Sequence, residues 1–311
     1  MRSVVMCAMW VGGVAALVLY LMACADELEP YNELAGFRVL AIQADRPWSD
    51  VQTPTQFQVL VHTPSSEPVE YRWSWCPWPQ EGGRTVDCGL DRDRFQGLVV
   101  EATGRAWQVP DYDLGSKDSA QLEPPIPADA VTEVCEALLA TELPTLLQEP
   151  DCDAGMEIAI LLTAVHQGES ITTFKRLWLQ AQTEDEVQQR NPTVVTLVAT
   201  PAEGGQEAVV LEPEGAVTLA AATAYTLQVE IADEVAETDG DGQREQLTLT
   251  WFVVGETEFT RTGFLEGETT LAEAGSNTWT TPTEAGAVPL YVVIRDDRYG
   301  VGWLTRTVLI E

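Results

Sequence analysis

Residues 247–254 read LTLTWFVV, and every odd member, Leu247, Leu249, Trp251 and Val253, is apolar. Successive side chains of a strand point to opposite faces, so this run commits one whole face to a hydrophobic interior. The same grammar recurs along the chain. Residues 37–42 (FRVLAI), 56–61 (QFQVLV), 71–76 (YRWSWC), 194–199, 225–231 (YTLQVEI), 288–294 (VPLYVVI) and 303–310 are β-rich runs bounded by turn residues. Short strands with turn signals between them predict an all-β protein.

An internal repeat sharpens this reading. Shifted by 130 positions, residues 158–178 lie on 288–308 without a gap. Ile158 meets Val288, Ile160 meets Leu290, Leu162 meets Val292, Phe174 meets Leu304 and Arg176 meets Arg306. Each copy reads as strand, glycine-bearing turn and last strand, the closing hairpin of a sandwich. Trp73 corresponds to Trp251. From Trp73 to Arg176 is 103 residues, against 55 from Trp251 to Arg306, so the first copy carries an insertion between about residues 80 and 150. It reads as Pro- and Asp-rich loop plus one helix near residues 129–147, where Val131, Val134, Cys135 and Leu138 fall on one face and Pro144 ends or bends the helix.

Within residues 71–80 (YRWSWCPWPQ), Trp73 and Trp75 share a strand face. Burying a side chain of that size is worth about 2–3 kcal/mol, so both are assigned to the core. Trp78 follows Pro77 and leaves the strand; it is a candidate surface contact, as is Trp107.

The first residues, MRSVVMCAMWVGGVAALVLYLMAC, hold one basic residue, an uninterrupted apolar run and then Leu21-Met22-Ala23-Cys24 before the acidic ADELEP. This resembles a bacterial lipoprotein signal. The resemblance implies removal of residues 1–23, acylation of Cys24, and an acidic tether over 24–35. A signal-anchor helix is the alternative, since about 20 apolar residues can span a bilayer; ordinary secretion is a third. Each exports the chain. With Cys7 removed and Cys24 lipidated, Cys76, Cys88, Cys135 and Cys152 remain. Outside the cytoplasm they predict two disulfides. Three connectivities exist, of which nearest-neighbour pairing, Cys76–Cys88 with Cys135–Cys152, is expected. No spacing suggests a zinc site.

The L-T-W-F strand around Trp251, the T-W-T-T-P run at 278–282 and the A-G-A-V-P-L-Y-V-V-I-R-D strand ending at Asp296 resemble the tandem immunoglobulin-like sandwiches of bacterial surface lipoproteins, related to PKD and cadherin-like modules. The resemblance implies two Ig-like β-sandwiches, over 36–188 and 193–311, the first interrupted by a disulfide-tied loop and helix insertion.

Charge and motifs narrow the function. Against 49 Asp and Glu stand only 17 Lys and Arg, so no basic footprint exists for nucleic acid. Membrane attachment must come from the anchor. Of the two histidines, His62 sits at the end of a strand and His166 at the turn of a closing hairpin, and no nucleophile elbow, H-E-x-x-H or phosphate loop is present; the chain is not expected to be an enzyme. Thr238-Asp239-Gly240-Asp241-Gly242 offers hard oxygen ligands, and Asp239 and Asp241 are candidate Ca²⁺ ligands, although turn formers in a hairpin loop look the same. Asp296-Asp297 is a similar acidic pair. The favoured expectation is a lipid-anchored module of the cell envelope, outer membrane foremost, that serves structure or protein interaction through the insertion. The alternatives are a carbohydrate-binding or carbohydrate-processing surface protein using Trp78 or Trp107, and a calcium-stiffened adhesin.

Overall fold

The computed structural model describes residue 34 and residues 36–311, apart from 83–84, 146–150, 182–188, 204–206, 213–216, 232–236, 239–243, 255, 258–260, 264–272 and 274. The first half contains β1 (Arg38–Ala44), β2 (Trp48–Ser49), β3 (Thr55–His62), β4 (Glu70–Cys76), β5 (Pro79–Gly82), β6 (Thr85–Cys88), helix α1 (Arg92–Thr103), β7 (Asp113–Gly115), β8 (Ser119–Leu122), helix α2 (Val131–Leu139), β9 (Gly155–His166) and β10 (Glu169–Gln180). The second half contains β11 (Val194–Pro201), β12 (Val209–Val210), β13 (Val217–Leu219), β14 (Ala224–Ile231), β15 (Thr248–Val253), β16 (Glu256–Thr257), β17 (Arg261–Gly263), β18 (Ser276–Thr280), β19 (Gly286–Arg295) and β20 (Val301–Ile310).

The strands form two sandwiches of like topology. In the first, a sheet ordered β1-β3-β8 faces one ordered β2-β10-β9-β4-β7. In the second, β12-β11-β14-β18-β16 faces β13-β20-β19-β15-β17. The short strand β2 pairs in parallel with β10, as β13 does with β20. Each sandwich has its own core. Trp73, Trp75 and Phe57 are buried in the first, and Trp251 and Trp279 in the second. Trp73 lies opposite Leu162, and Trp251 opposite Val292, so the two tryptophans hold equivalent places.

The repeat holds at an offset of 130 on the first strand of the closing hairpin, but not on the second. Ile158 pairs with Leu177, whereas Val288 pairs with Val308. Between the equivalent pairs Val165–Ser170 and Arg295–Val301 lie four and five residues, so β20 is displaced by one. The equivalent of Arg306 is therefore Lys175 and not Arg176. Lys175 lies opposite Ile160 and Arg306 opposite Leu290. Both cations are 8 % exposed and share the core face of their strand.

The insertion differs from its expected form. Its described residues form two α-helices, and the segment also gives two strands to the sheets: β7 pairs with β4, and β8 with β3. The helix expected over 129–147 begins with a 3-10 turn, Ala128–Ala130, and runs only from Val131 to Leu139. It stops before Pro144; Glu142 already has a left-handed φ of 55°. Helix α1 escaped notice because only Phe95 and Val99 of its twelve residues are buried, too few for a clear period. Its ends are well marked all the same. The Asp91 side chain accepts from the Arg94 amide at 2.8 Å, and Gly104, at φ 64°, returns its N–H to the Val100 carbonyl. Such caps satisfy end groups that the helix leaves unpaired.

Cys76 is bonded to Cys88, and Cys135 to Cys152. The first closes the β5–β6 hairpin onto the end of β4. The second ties the middle of α2 to the chain entering β9. Cross-links over 12 and 17 residues each restrict the unfolded chain by about 3 kcal/mol.

Candidate functional site

The open side of the first sandwich, between β1 and β10, is plugged by the second. The plug is the β19–β20 loop, residues 296–300. Asp296 builds it: its Oδ1 accepts the amides of Arg298 at 2.8 Å and Gly300 at 2.6 Å. Asp297 Oδ1 accepts the Gln246 amide at 3.1 Å. The acidic pair is thus engaged in loop formation. Chain crowding requires the glycines that follow. A Cβ on Gly300 would lie 1.9 Å from Asp296 Oδ2, and one on Gly302 would lie 1.9 Å from the Pro192 carbonyl oxygen.

Tyr299 is the tip. It has a φ of 77°, a conformation that costs a non-glycine residue about 1–3 kcal/mol and needs surrounding contacts to persist. It has three. Its ring stacks on Trp178, centroids 6.2 Å apart and planes 11° apart. Its hydroxyl donates to Glu157. Its carbonyl accepts from Lys175 Nζ at 2.6 Å. Around it, Trp48 Nε1 donates to the Arg298 carbonyl at 3.1 Å, Gln43 Nε2 to the Val301 carbonyl at 2.6 Å, and Arg295 Nη2 to the Leu40 carbonyl at 2.7 Å. Asn191, in the connector, donates to the Ala44 carbonyl at 2.7 Å and accepts the Val301 amide at 3.0 Å. Beside these bonds lies a third apolar cluster. Leu34, Leu40 and Ala41 of the first half pack with Phe252, Tyr291, Val293 and Val301 of the second.

A cavity of about 330 Å³ remains between β1, β10 and the plug. Its wall includes the apolar Val39, Ile42 and Phe174, and three cations, Lys175, Arg176 and Arg295. Asp296 is the one carboxylate among its described lining residues. Burial lowers the Lys175 amine from 10.5 to about 8, Asp296 opposing the fall and Arg295 adding to it. Burial raises the Asp296 carboxyl, against two backbone hydrogen bonds and Lys175 that lower it. Loss of hydration penalises the charged form in both cases.

A second concavity, about 530 Å³, lies between the two helices of the insertion, lined by Arg94, Gly97, Leu98, Glu101, Ala137 and Ala140 among others. Val100 on α1 and Leu139 on α2 are 39 % and 37 % exposed.

The sequence-derived candidates fare differently. Trp78 is not a surface contact. It is 3 % exposed, and its indole donates to the Leu143 carbonyl at 3.1 Å. The chain after Pro77 turns inward because the disulfide-tied β5–β6 hairpin and the segment after α2 fold over it. Trp107 is half-buried against the same core, with its indole N–H given to the Pro125 carbonyl at 3.2 Å. Neither forms an open aromatic platform. His62 meets the Tyr291 hydroxyl at 3.3 Å, and His166 meets Ser65 Oγ at 3.1 Å. Cys24 lies outside the described residues, as do Asp239 and Asp241. Thr238 and Arg244 bridge at the base of that loop, beside the buried Glu245, whose carboxyl burial pushes up to about 7. Among the described residues no group of three or more metal-ligating side chains occurs, and no helix is long and apolar enough to cross a membrane.

Missed from sequence were Lys175 and Tyr299. The signal for the former was present: Lys175 precedes Leu177 and Leu179 on the core face of one strand, a place where a cation needs a partner.

No family model matches the chain, and no curated protein matches it. Solved structures give distant matches. A nucleoside hydrolase-related hypothetical protein from Saccharophagus degradans, described as associated with carbohydrate metabolism, is 19 % identical over 40 % of this chain, with a TM-score of 0.21; the chain spans 26 % of that protein's length. The three N-terminal domains of the bacteriophage RB49 outer capsid protein Hoc match 89 % of this chain and 70 % of theirs at 10 % identity and a TM-score of 0.22. The C-terminal domain of the Streptococcus pyogenes antigen I/II-family protein AspA matches 88 % of this chain and 98 % of its own at 10 % identity and a TM-score of 0.24. At such scores these matches carry no argument about function; the all-β sandwich reading rests on the strand order.

Proposed function

We propose that the protein is a non-enzymatic module of the bacterial cell envelope, held to a membrane through acylated Cys24, that engages a protein partner through the helical insertion of its first sandwich. One observation carries this reading: two helices with a groove between them stand on a rigid support, and two disulfides fix their surroundings. Function tends to sit on such elaborations of a scaffold. The plug between the sandwiches supports the same reading, because it lets the pair act as one stiff spacer. The two histidines are spent on separate packing contacts, which favours a non-catalytic role.

The test is cross-linking and pull-down from intact cells, comparing the wild type with a Val100→Asp, Leu139→Asp double variant. These side chains are exposed, so the variant keeps its fold, checked by an unchanged melting temperature. A partner captured by the wild type and lost in the variant is expected. Identical capture profiles would reject the insertion as the contact surface.

A further inference from the structure

We propose that the cavity between the two sandwiches binds a small organic carboxylate. Four observations converge. First, among the described residues the wall gathers Lys175, Arg176 and Arg295 with Asp296, Arg176 also facing the buried Glu157 carboxylate at 3.9 Å, in a chain with 49 acidic and only 17 basic residues. Second, Lys175 is 8 % exposed, yet among the described residues its ammonium has a single hydrogen-bond acceptor, the Tyr299 carbonyl. An ammonium has three donors, and a buried charge is stable when paired and fully hydrogen-bonded. Third, Asp296 is partly committed, since its Oδ1 takes the amides of Arg298 and Gly300. Fourth, Val39, Ile42 and Phe174 give an apolar wall, suited to the carbon skeleton of an organic acid. A volume of about 330 Å³ is at the small end of ligand pockets.

The equivalent position in the second sandwich supplies a contrast. There Arg306 donates to the Leu211 and Thr305 carbonyls, both of its own sandwich. The ligand would accept from Lys175 and, at the mouth, from Arg176, whose side chain is 42 % exposed and whose Nε faces the Glu157 carboxylate at 3.9 Å. Arg295 would add charge while keeping its bond to Leu40.

The probe is succinate, titrated calorimetrically into the full-length chain in detergent at pH 7, with sodium chloride matched for ionic strength and inorganic phosphate as a second arm. Saturable one-to-one binding is expected. Arg176→Gln should weaken it by about tenfold, the worth of one charge-assisted contact. Lys175→Met should abolish it. Affinity should also fall about tenfold per pH unit above pH 8, where the free amine loses its proton. The other ionisable groups around that amine are Arg295, Asp296, Arg176, Glu157 and Tyr299, so the Lys175→Met variant serves as the control for the profile. No heat with succinate beyond that with chloride would overturn the proposal. So would binding that survives both substitutions, which also covers the case of a merely structural Lys175. A phosphate response equal to that of succinate would overturn the choice of carboxylate.

Discussion

Tyr299 lies flat on Trp178, planes 11° apart, although the two residues belong to different sandwiches. The stack is one of three contacts that hold a left-handed tyrosine in place. Its removal should therefore be felt in global stability and not only locally. In a double-mutant cycle of Trp178→Ala and Tyr299→Ala, measured by urea unfolding, the coupling is expected at about 0.5–1.5 kcal/mol. A coupling near zero would show that the ring contact is incidental to the plug.

Lys175 gives a pH signature. In the folded chain its amine loses its proton near pH 8, against 10.5 ordinarily. Between these values the unfolded chain binds the extra proton, so stability rises with pH. Relative to Lys175→Met, the wild type should gain about 3 kcal/mol on going from below pH 8 to above pH 10.5. Paired urea titrations at the two ends of that window measure the gain; a flat difference would mean the ammonium is well solvated.

Glu245 predicts the opposite slope. Its carboxyl is raised from 4.5 to about 7, by burial first and by the neighbouring acids Asp296 and Glu237. Between pH 4.5 and 7 the folded chain keeps a proton that the unfolded chain has lost, so stability declines as pH rises. Glu245→Gln should flatten this decline, read as melting temperature against pH. The Gln189 amide, oriented to donate, lies 2.7 Å from Glu245 and 3.0 Å from Glu237, and would still have Glu237 to serve.

The Cys135–Cys152 bond should matter more to α2 than to the sheets. Replacing both cysteines by alanine should cost about 3 kcal/mol and raise amide exchange in α2 ahead of β9. Exchange increasing uniformly would mean that the helix is not a separable unit.

For the anchor, Cys24→Ser should abolish incorporation of labelled palmitate and move the chain out of the lipid-modified membrane fraction. Continued labelling would place the acyl chain on another residue.

Much of the architecture was legible. Strict alternation around Trp73 and Trp251 located both cores, and the closing hairpins announced a duplication. The one-residue displacement of β20 was not visible, because Arg176 and Lys175 are adjacent cations and either aligns acceptably with Arg306. The plug was hidden for a subtler reason. Residues 288–294 are apolar at even and odd positions alike, which signals a strand covered on both faces. Val292 and Ile294 serve the core, while Tyr291 and Val293 meet the first sandwich. Sequence shows that two faces are buried, not what covers the second. Trp78 was misplaced because its burial depends on chain far along the sequence, near Leu143.

Lys175 and Arg306 occupy one position in two copies of a design, yet one is served from within and the other from 124 residues downstream. A chain made from its amino end must therefore be nearly finished before its first copy can be sealed. Until then that copy stands with a gap along its flank and a lone positive charge inside it. Truncation before Tyr299 should thus harm the half that is still present, so that the two copies, alike in outline, are unequal in independence.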